Sequence, residues 1–200
     1  MEPTPEQPRT AVELSRAWYS ASIDKFLETH PDLIVGQLVL KGNFGVLSTQ
    51  KDAWSAEIRF LQDRLVGLTG ALFLEFNIPR LGRRIDTVLL IGPVVFVIEF
   101  KVGSSAFDRA AVDQVWDYAL DLKNFHEACH AVSIVPILIA TGAPKSAPFD
   151  LRADEDNVYR PVLVHPTGFR EAIERALRSV IGEVVDDQKW SRAPYHPTPT

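Results

Sequence analysis

Between Arg84 and Gly103 the sequence RIDTVLLIGPVVFVIEFKVG holds two short runs of Val, Ile, Leu and Phe separated by Gly92-Pro93. That is the pattern of two antiparallel strands joined by a tight turn. Centring the turn on the dipeptide sets Ile91 opposite Val94 and, counting outward, Asp86 directly opposite Glu99. Strand alternation points Glu99 and Lys101 the same way, with Val95 and Val97, while Phe96, Ile98 and Phe100 point the other way. Both faces of the second run are otherwise apolar, which predicts a central strand covered on both sides.

The remaining pattern supplies the other elements. LSRAWYSASIDKFLETHPD predicts a helix carrying Trp18, Ile23, Phe26 and Leu27, stopped at His30-Pro31. LIVGQLVLKGNFGVLSTQ, punctuated by glycine, reads as irregular or as a short hairpin. In KDAWSAEIRFLQDRLVGL the residues Trp54, Ile58, Leu61, Leu65 and Leu68 recur at helical spacing, and Glu57 falls on the edge of that stripe. ALFLEFNI alternates Leu72, Leu74, Phe76 and Ile78 with Phe73, Glu75 and Asn77, which predicts a strand half facing solvent.

From Ser105, read as an N-cap with Asp108 three residues on, a helix is expected through FDRAAVDQVWDYALDLKNFHEACH. Its inward stripe is Phe107, Ala111, Gln114, Tyr118, Leu122 and Phe125, and a glutamine on such a stripe needs a partner. AVSIVPILIAT suits a buried strand in spite of Pro136, and GAPKSAPFDLRADEDN an acidic surface loop. VYRPVLVHP adds a strand, and FREAIERALRSVI a closing helix with Phe169, Ile173, Leu177 and Ile181 inward. This order predicts an α/β layered domain over residues 13–185 with a mixed sheet between helices. Residues 1–12 read as a disordered segment and 186–200 as a linker.

Composition narrows the class. With 200 residues and 46% hydrophobic content the chain can bury one proper core. A formal charge of −5 is opposite to that of a general polyanion binder, so any attraction to nucleic acid must be local, as where Arg80, Arg83, Arg84 and Lys101 gather near the hairpin. The single cysteine, Cys129, excludes an internal disulfide framework and suits a reducing compartment. The start lacks the apolar core of a signal peptide and no apolar run approaches the ~20 residues of a membrane span, so a soluble cytoplasmic protein without a membrane partner is expected.

Asp86, Glu99 and Lys101 should converge on one patch, where directly opposed Cβ atoms lie about 5 Å apart. Two carboxylates at that spacing can grip one divalent cation, and without it one of them holds its proton. A plain ion pair of Asp86 with Lys101 across the hairpin is the simpler alternative, and the third charge on the same face argues against it. Asp86, twelve residues, then Glu99-Phe100-Lys101 resembles the PD-(D/E)XK nucleases. Glu57 on the preceding helix, and Gln114 with Tyr118 on the following one, match the helical glutamate and the QxxxY element of some branches. Ile85 stands where the proline of the family name would be, a variable position. More closely, IPRLGRRID, VIEFKVG, QVWDYALDLKNFH and VPILIAT resemble the N-terminal nuclease-like domain of bacterial proteins that continue into an uncharacterised superfamily 1 helicase. PTPT at the end is similar to the lead into that helicase, and no GxxxxGK[ST] motif occurs in this chain.

The resemblance implies a three-layer α/β/α fold of restriction-endonuclease type and metal-dependent hydrolysis of DNA or RNA. It implies that Asp86, Glu99 and the main-chain oxygen of Phe100 hold Mg²⁺ or Mn²⁺, with Glu57 completing the shell or orienting its waters, although a glutamate on a stripe edge also fits an ordinary amphipathic boundary. Lys101 would position water or stabilise the transition state. Gln114 and Tyr118 would position the phosphate, and Arg80 and Arg84 the backbone nearby. A catalytically silent binding module of a helicase is the alternative role. Residue by residue, Tyr118 also fits core packing with a bonded hydroxyl, while Arg83 and Glu75 read as solvent-facing charges. His126-Glu127-Ala128-Cys129-His130 fits the HExxH pattern of zinc peptidases, with Glu155 the nearest later ligand candidate. A helix end where histidines meet free carbonyls is the simpler account of that segment.

Overall fold

Residues 16–42, 47–144, 151–154 and 156–196 are described by a computed structural model. Six strands form one mixed sheet: β1 (Tyr19–Ser22), β2 (Ala71–Ile78), β3 (Arg83–Ile91), β4 (Val94–Lys101), β5 (Ser133–Ala140) and β6 (Val162–Val164), in that spatial order. The first four run antiparallel; β5 and β6 join parallel to β4. The helices are α1 (Ile23–Glu28), α2 (Pro31–Lys41), α3 (Ser48–Arg64), α4 (Arg109–Phe125), α5 (Phe169–Ser179) and α6 (Asp187–Arg192).

The hairpin forms as its pattern predicts. Ile91 faces Val94, and Gly92 sits at φ 56°, a left-handed turn conformation that glycine adopts without a Cβ penalty. Alternation along β4 sends Phe96 and Ile98 into one core cluster, with Ile23, Ile34, Trp54, Ile58 and Ile173, and Val95 and Val97 into another, with Val115, Tyr118, Leu122 and Trp190. The central strand is therefore covered on both faces. Pro136 is tolerated because its β4 partner is Val97, while on the other side pairing lapses between Ile134↔Val158 and Ile137↔Val162.

Several expectations are corrected. Within the helix expected from Leu14 to its stop at His30-Pro31, Tyr19–Ser22 is instead the edge strand β1, because it pairs along β2, and the helix α1 covers Ile23–Glu28. α1 does stop just before His30-Pro31, with Thr29 as its C-cap, and the dipeptide also starts the next helix: His30 caps it through its side chain and Pro31 occupies the first turn, where a missing N–H is harmless. The stretch read as irregular is largely α2, which buries Ile34 and Leu38 four residues apart in spite of Gly36. β2 does not face solvent on one side; of its eight residues only Asn77 is exposed. Asp108, not Ser105, caps α4, accepting from Ala110 N at 3.1 Å. Ile181 lies beyond α5 and is fully exposed. Of the acidic loop over 142–157, residues 145–150 and 155 lie outside those described.

The stretch assigned to a linker from 186 onward is packed into the fold as far as His196. Trp190 on α6 is fully buried against Phe73 and Phe76, with ring centroids 4.9 and 5.1 Å away, and donates its indole N–H to Cys129 Sγ at 3.1 Å. Beyond it, Tyr195 bridges to His126 and His196 N donates to Phe125 O. Trp190→Ala is expected to destabilise the protein by about 3–5 kcal/mol, measured by urea denaturation; a loss under 1 kcal/mol would mean that the tail only rests on the surface.

Candidate active site

Two irregularities in the sheet build the site. Leu74 pairs with Thr87 and Phe76 with Ile85, leaving Glu75 and Asp86 opposite one another between those pairs. Glu75 has φ 52°, uncommon for a residue with a long side chain. Alternation slips there: Phe73 and Phe76, three apart, enter the same core cluster, as do Val88 and Ile85 on β3. The second irregularity lies between β3 and β4. Their pairing stops at Thr87↔Ile98, while β4 continues alongside β5 through Lys101↔Ala140. The expected direct pairing of Asp86 with Glu99 is therefore not made. Asp86 instead accepts the main-chain N–H of Phe100 through Oδ2 at 2.8 Å, replacing the lost ladder bond.

The end of β4 gathers the other groups. Lys101 Nζ donates to Glu99 Oε1 at 3.0 Å and to Gln114 Oε1 at 3.2 Å. Gln114 Nε2 donates to Glu99 Oε1 and to the Tyr118 hydroxyl, both at 2.8 Å. The amide has one consistent orientation, since an ammonium cannot accept and a carboxylate cannot donate. The glutamine thus finds the partner its place on the α4 stripe demands. Tyr118 is buried with its hydroxyl bonded. Glu99 Oε2, by contrast, is buried with no hydrogen-bond partner.

Crowded negative charge sets the protonation. Burial, then the charges of Glu99 and Glu57, hold the Asp86 carboxyl well above the usual carboxylate range, against the Phe100 hydrogen bond. Glu57, reaching the group from α3, is pushed up to about 8 by burial and by the charges of Glu75 and Glu99, with Lys101 opposing. Burial also raises Glu99, against the charge and hydrogen bond of Lys101. Burial by itself would lower Lys101, but Glu99 outweighs it and keeps the ammonium charged.

The donor set suits a hard cation: carboxylate oxygens, one of them buried and unsatisfied, with an excess of negative charge. Among the described residues no group of three or more His, Cys, Asp or Glu side chains is arranged to hold a metal ion. Asp86, Glu99 and Glu57 bear on one another through their charges.

The sequence reading missed Glu75. Rather than facing solvent it is buried, accepting from Trp54 Nε1 at 2.7 Å and Arg84 Nε at 2.6 Å. A lone acid in an eight-residue apolar strand was the available signal. Arg83 is exposed, as expected, and its charge reaches Tyr118. Arg80 is drawn to α4, where Nε bonds Asp121 at 2.9 Å and the guanidinium lies 4.4 Å from the centre of the Phe125 ring. Asp121 is seven residues, about 10 Å of helix, beyond Gln114, so Arg80 is tied down away from the acids.

The zinc pattern is not assembled. α4 ends at Phe125 and His126 is extended, at φ −92° and ψ 109°, so His126 and His130 are not stacked one α-helical turn apart. His126 lies 4.5 Å from the Trp190 ring, centroid to centroid, and burial lowers its pKa to about 4. Glu127 bonds His196 at 3.0 Å.

Comparison of the chain with models of protein families, with curated proteins and with solved structures gives no match.

A carboxyl whose folded pKa lies above its unfolded value keeps its full contribution to stability below the unfolded pKa, and the contribution is lost as pH rises through the folded one. For Glu57 that window runs from 4.5 to about 8. In EDTA, the stability of the wild type relative to Glu57→Gln should fall across this window, by at most about 1.4 kcal/mol per pH unit. The comparison cancels the opposite effect of His126, whose depressed pKa removes stability as pH falls below 6.5. Denaturation curves at several pH values check it; parallel profiles for the two proteins would place Glu57 outside the charged cluster.

Proposed function

We propose that this domain is a Mg²⁺- or Mn²⁺-dependent phosphodiesterase that cuts DNA or RNA. The observation that carries the proposal is the meeting of Asp86, Glu99, Lys101 and Gln114 where β3 and β4 part, with a buried carboxylate oxygen left unsatisfied. Around it we propose a three-layer α/β/α arrangement of restriction-endonuclease type. In support, α1, α2, α3 and α5 contribute to the core cluster of one sheet face, and α4 and α6 to that of the other.

Asp86, Glu99 and the Phe100 main-chain oxygen would hold the ion. Bound there, it supplies charge neutralisation on the phosphate and activation of water. The chain's own groups do the rest. Lys101 presents a fixed ammonium where negative charge grows on the phosphate in the transition state, held by two acceptors so that little reorganisation is needed. Gln114 positions it by accepting from Nζ while anchoring Glu99. Tyr118 fixes the far end of Gln114 from within the core, a positioning role more than a contact with substrate. Glu57 adds a carboxyl that exchanges its proton near neutral pH, suited to orienting water or passing a proton. The partner of such a domain, by the resemblance of its motifs, is a superfamily 1 helicase acting on the same nucleic acid.

Labelled single- and double-stranded DNA and RNA incubated with Mg²⁺ or Mn²⁺ test the proposal. Asp86→Ala and Lys101→Ala should each slow cleavage by at least about 100-fold while the proteins stay folded. Equal cleavage by all three proteins would remove the site from the reaction. Binding that persists in EDTA without cutting under either metal would assign the domain as a silent nucleic-acid-binding module instead.

A further inference from the structure

Beside the acids stands a short column of planar groups. The Arg84 guanidinium lies over the Trp18 ring, 4.2 Å from its centre, and Trp18 meets Trp54 edge-on at 6.1 Å. Both ends are fixed. Trp54 and Arg84 donate to the two oxygens of the buried Glu75, and Trp18 is held to the sheet by its main-chain N–H, which donates to Leu74 O at 3.0 Å. Trp54 is buried, but Trp18 is only partly so and the Arg84 side chain is 37% exposed.

The charge of Arg84 is already matched by Glu75 at 2.6 Å. An incoming phosphate therefore meets an almost neutral pair, which makes Arg84 a poor backbone grip. The guanidinium is held by Glu75 and lies over an indole while its side chain stays 37% exposed, and a delocalised, flat cation of this kind is a surface on which another flat ring stacks. Arg84 precedes Asp86 by two residues, about 7 Å along a strand, so both address one nucleotide: phosphate at the acids, base at the column.

We propose that Arg84 and Trp18 form a stacking seat for an unpaired nucleobase next to the scissile phosphate, so that the substrate is single-stranded nucleic acid. A base inside a duplex is already stacked on both faces and reaches such a seat only by leaving its helix. Stacking of this kind tolerates all bases, so it selects strandedness and not sequence. The position of the phosphate rests on the phosphodiesterase reading above; the seat itself rests on the Trp18–Arg84–Glu75 geometry.

The test measures binding of a fluorescent oligodeoxythymidylate, of a duplex of equal length, and of an abasic strand of equal length, by anisotropy at one salt concentration. The Asp86→Ala protein serves as a non-cleaving background. Trp18→Leu and Arg84→Lys, the second keeping the charge opposite Glu75 but losing the flat face, should each weaken single-strand binding by roughly 5- to 100-fold. Duplex and abasic-strand binding should stay unchanged. Should Trp18→Leu fail to fold, Arg84→Lys decides. Unchanged single-strand affinity in folded Arg84→Lys, or an equal loss on the abasic strand, overturns the seat. If cleavage is abolished by Asp86→Ala while the seat variants bind as the parent does, the seat falls and the phosphodiesterase stands. If the seat variants behave as expected but no metal supports cleavage, the seat stands and the phosphodiesterase falls.

Discussion

Four carboxyl groups, Glu57, Glu75, Asp86 and Glu99, act on one another at one end of a buried sheet, and their mutual repulsion is the constraint on which the rest of the site depends. Burial and like charge both favour the neutral form of an acid, so the group is tolerable only if each member is answered. Glu75 is answered twice, by an indole and a guanidinium. Asp86 takes a main-chain N–H, and Glu99 takes an ammonium and an amide. What is left over, one oxygen of Glu99 and the proton affinity of the cluster, is the capacity of the site to accept a cation.

Backbone irregularity makes this arrangement possible. A regular ladder through Glu75, Asp86 and Glu99 would have saturated the main-chain groups near Asp86 and kept the antiparallel strands paired to their ends. Left-handed φ at Glu75 and the early end of the β3–β4 ladder break that regularity in neighbouring strands. Such conformations cost about 1–3 kcal/mol each and persist where surrounding contacts over-determine them. Here the contacts are the two hydrogen bonds on Glu75 and the Trp18–Arg84 stack. The same residues thereby hold the strained strand in place and present a flat surface at the edge of the acids.

The C-terminal stretch shows how composition misleads about packing. Proline and polar residues from Ser191 to Thr200 resemble a linker, yet one tryptophan upstream decides the matter, because Trp190 fills a slot lined by Phe73, Phe76 and His126. Docking of this segment also removes the histidine motif from contention. His126 is drawn into an apolar stack where it stays neutral, and Glu127 turns to His196.

That Gln114 meets Glu99 and Lys101 was implied only by the family resemblance, but the hairpin, its turn and register at Ile91↔Val94, the burial of β4 on both faces, the stripes of α3 and α4 and the shared face of Glu99 and Lys101 were legible in the chain. Each follows from a local period, two residues for a strand or 3.6 for a helix, that places side chains without reference to distant partners. Other features were not legible. Tyr19–Ser22 became an edge strand because β2 offered an open side, α2 formed in spite of Gly36 because its Ile34 and Leu38 met the core, and Arg80 left the acids for Asp121. The slip of alternation at Glu75, and with it the replacement of an Asp86–Glu99 pair by the bond from Asp86 to Phe100 N, required three strands to be assembled together. Period fixes which way a side chain points along a regular element; where an element bends, ends or finds a partner is set by groups remote in the chain, and only the tertiary structure brings those together.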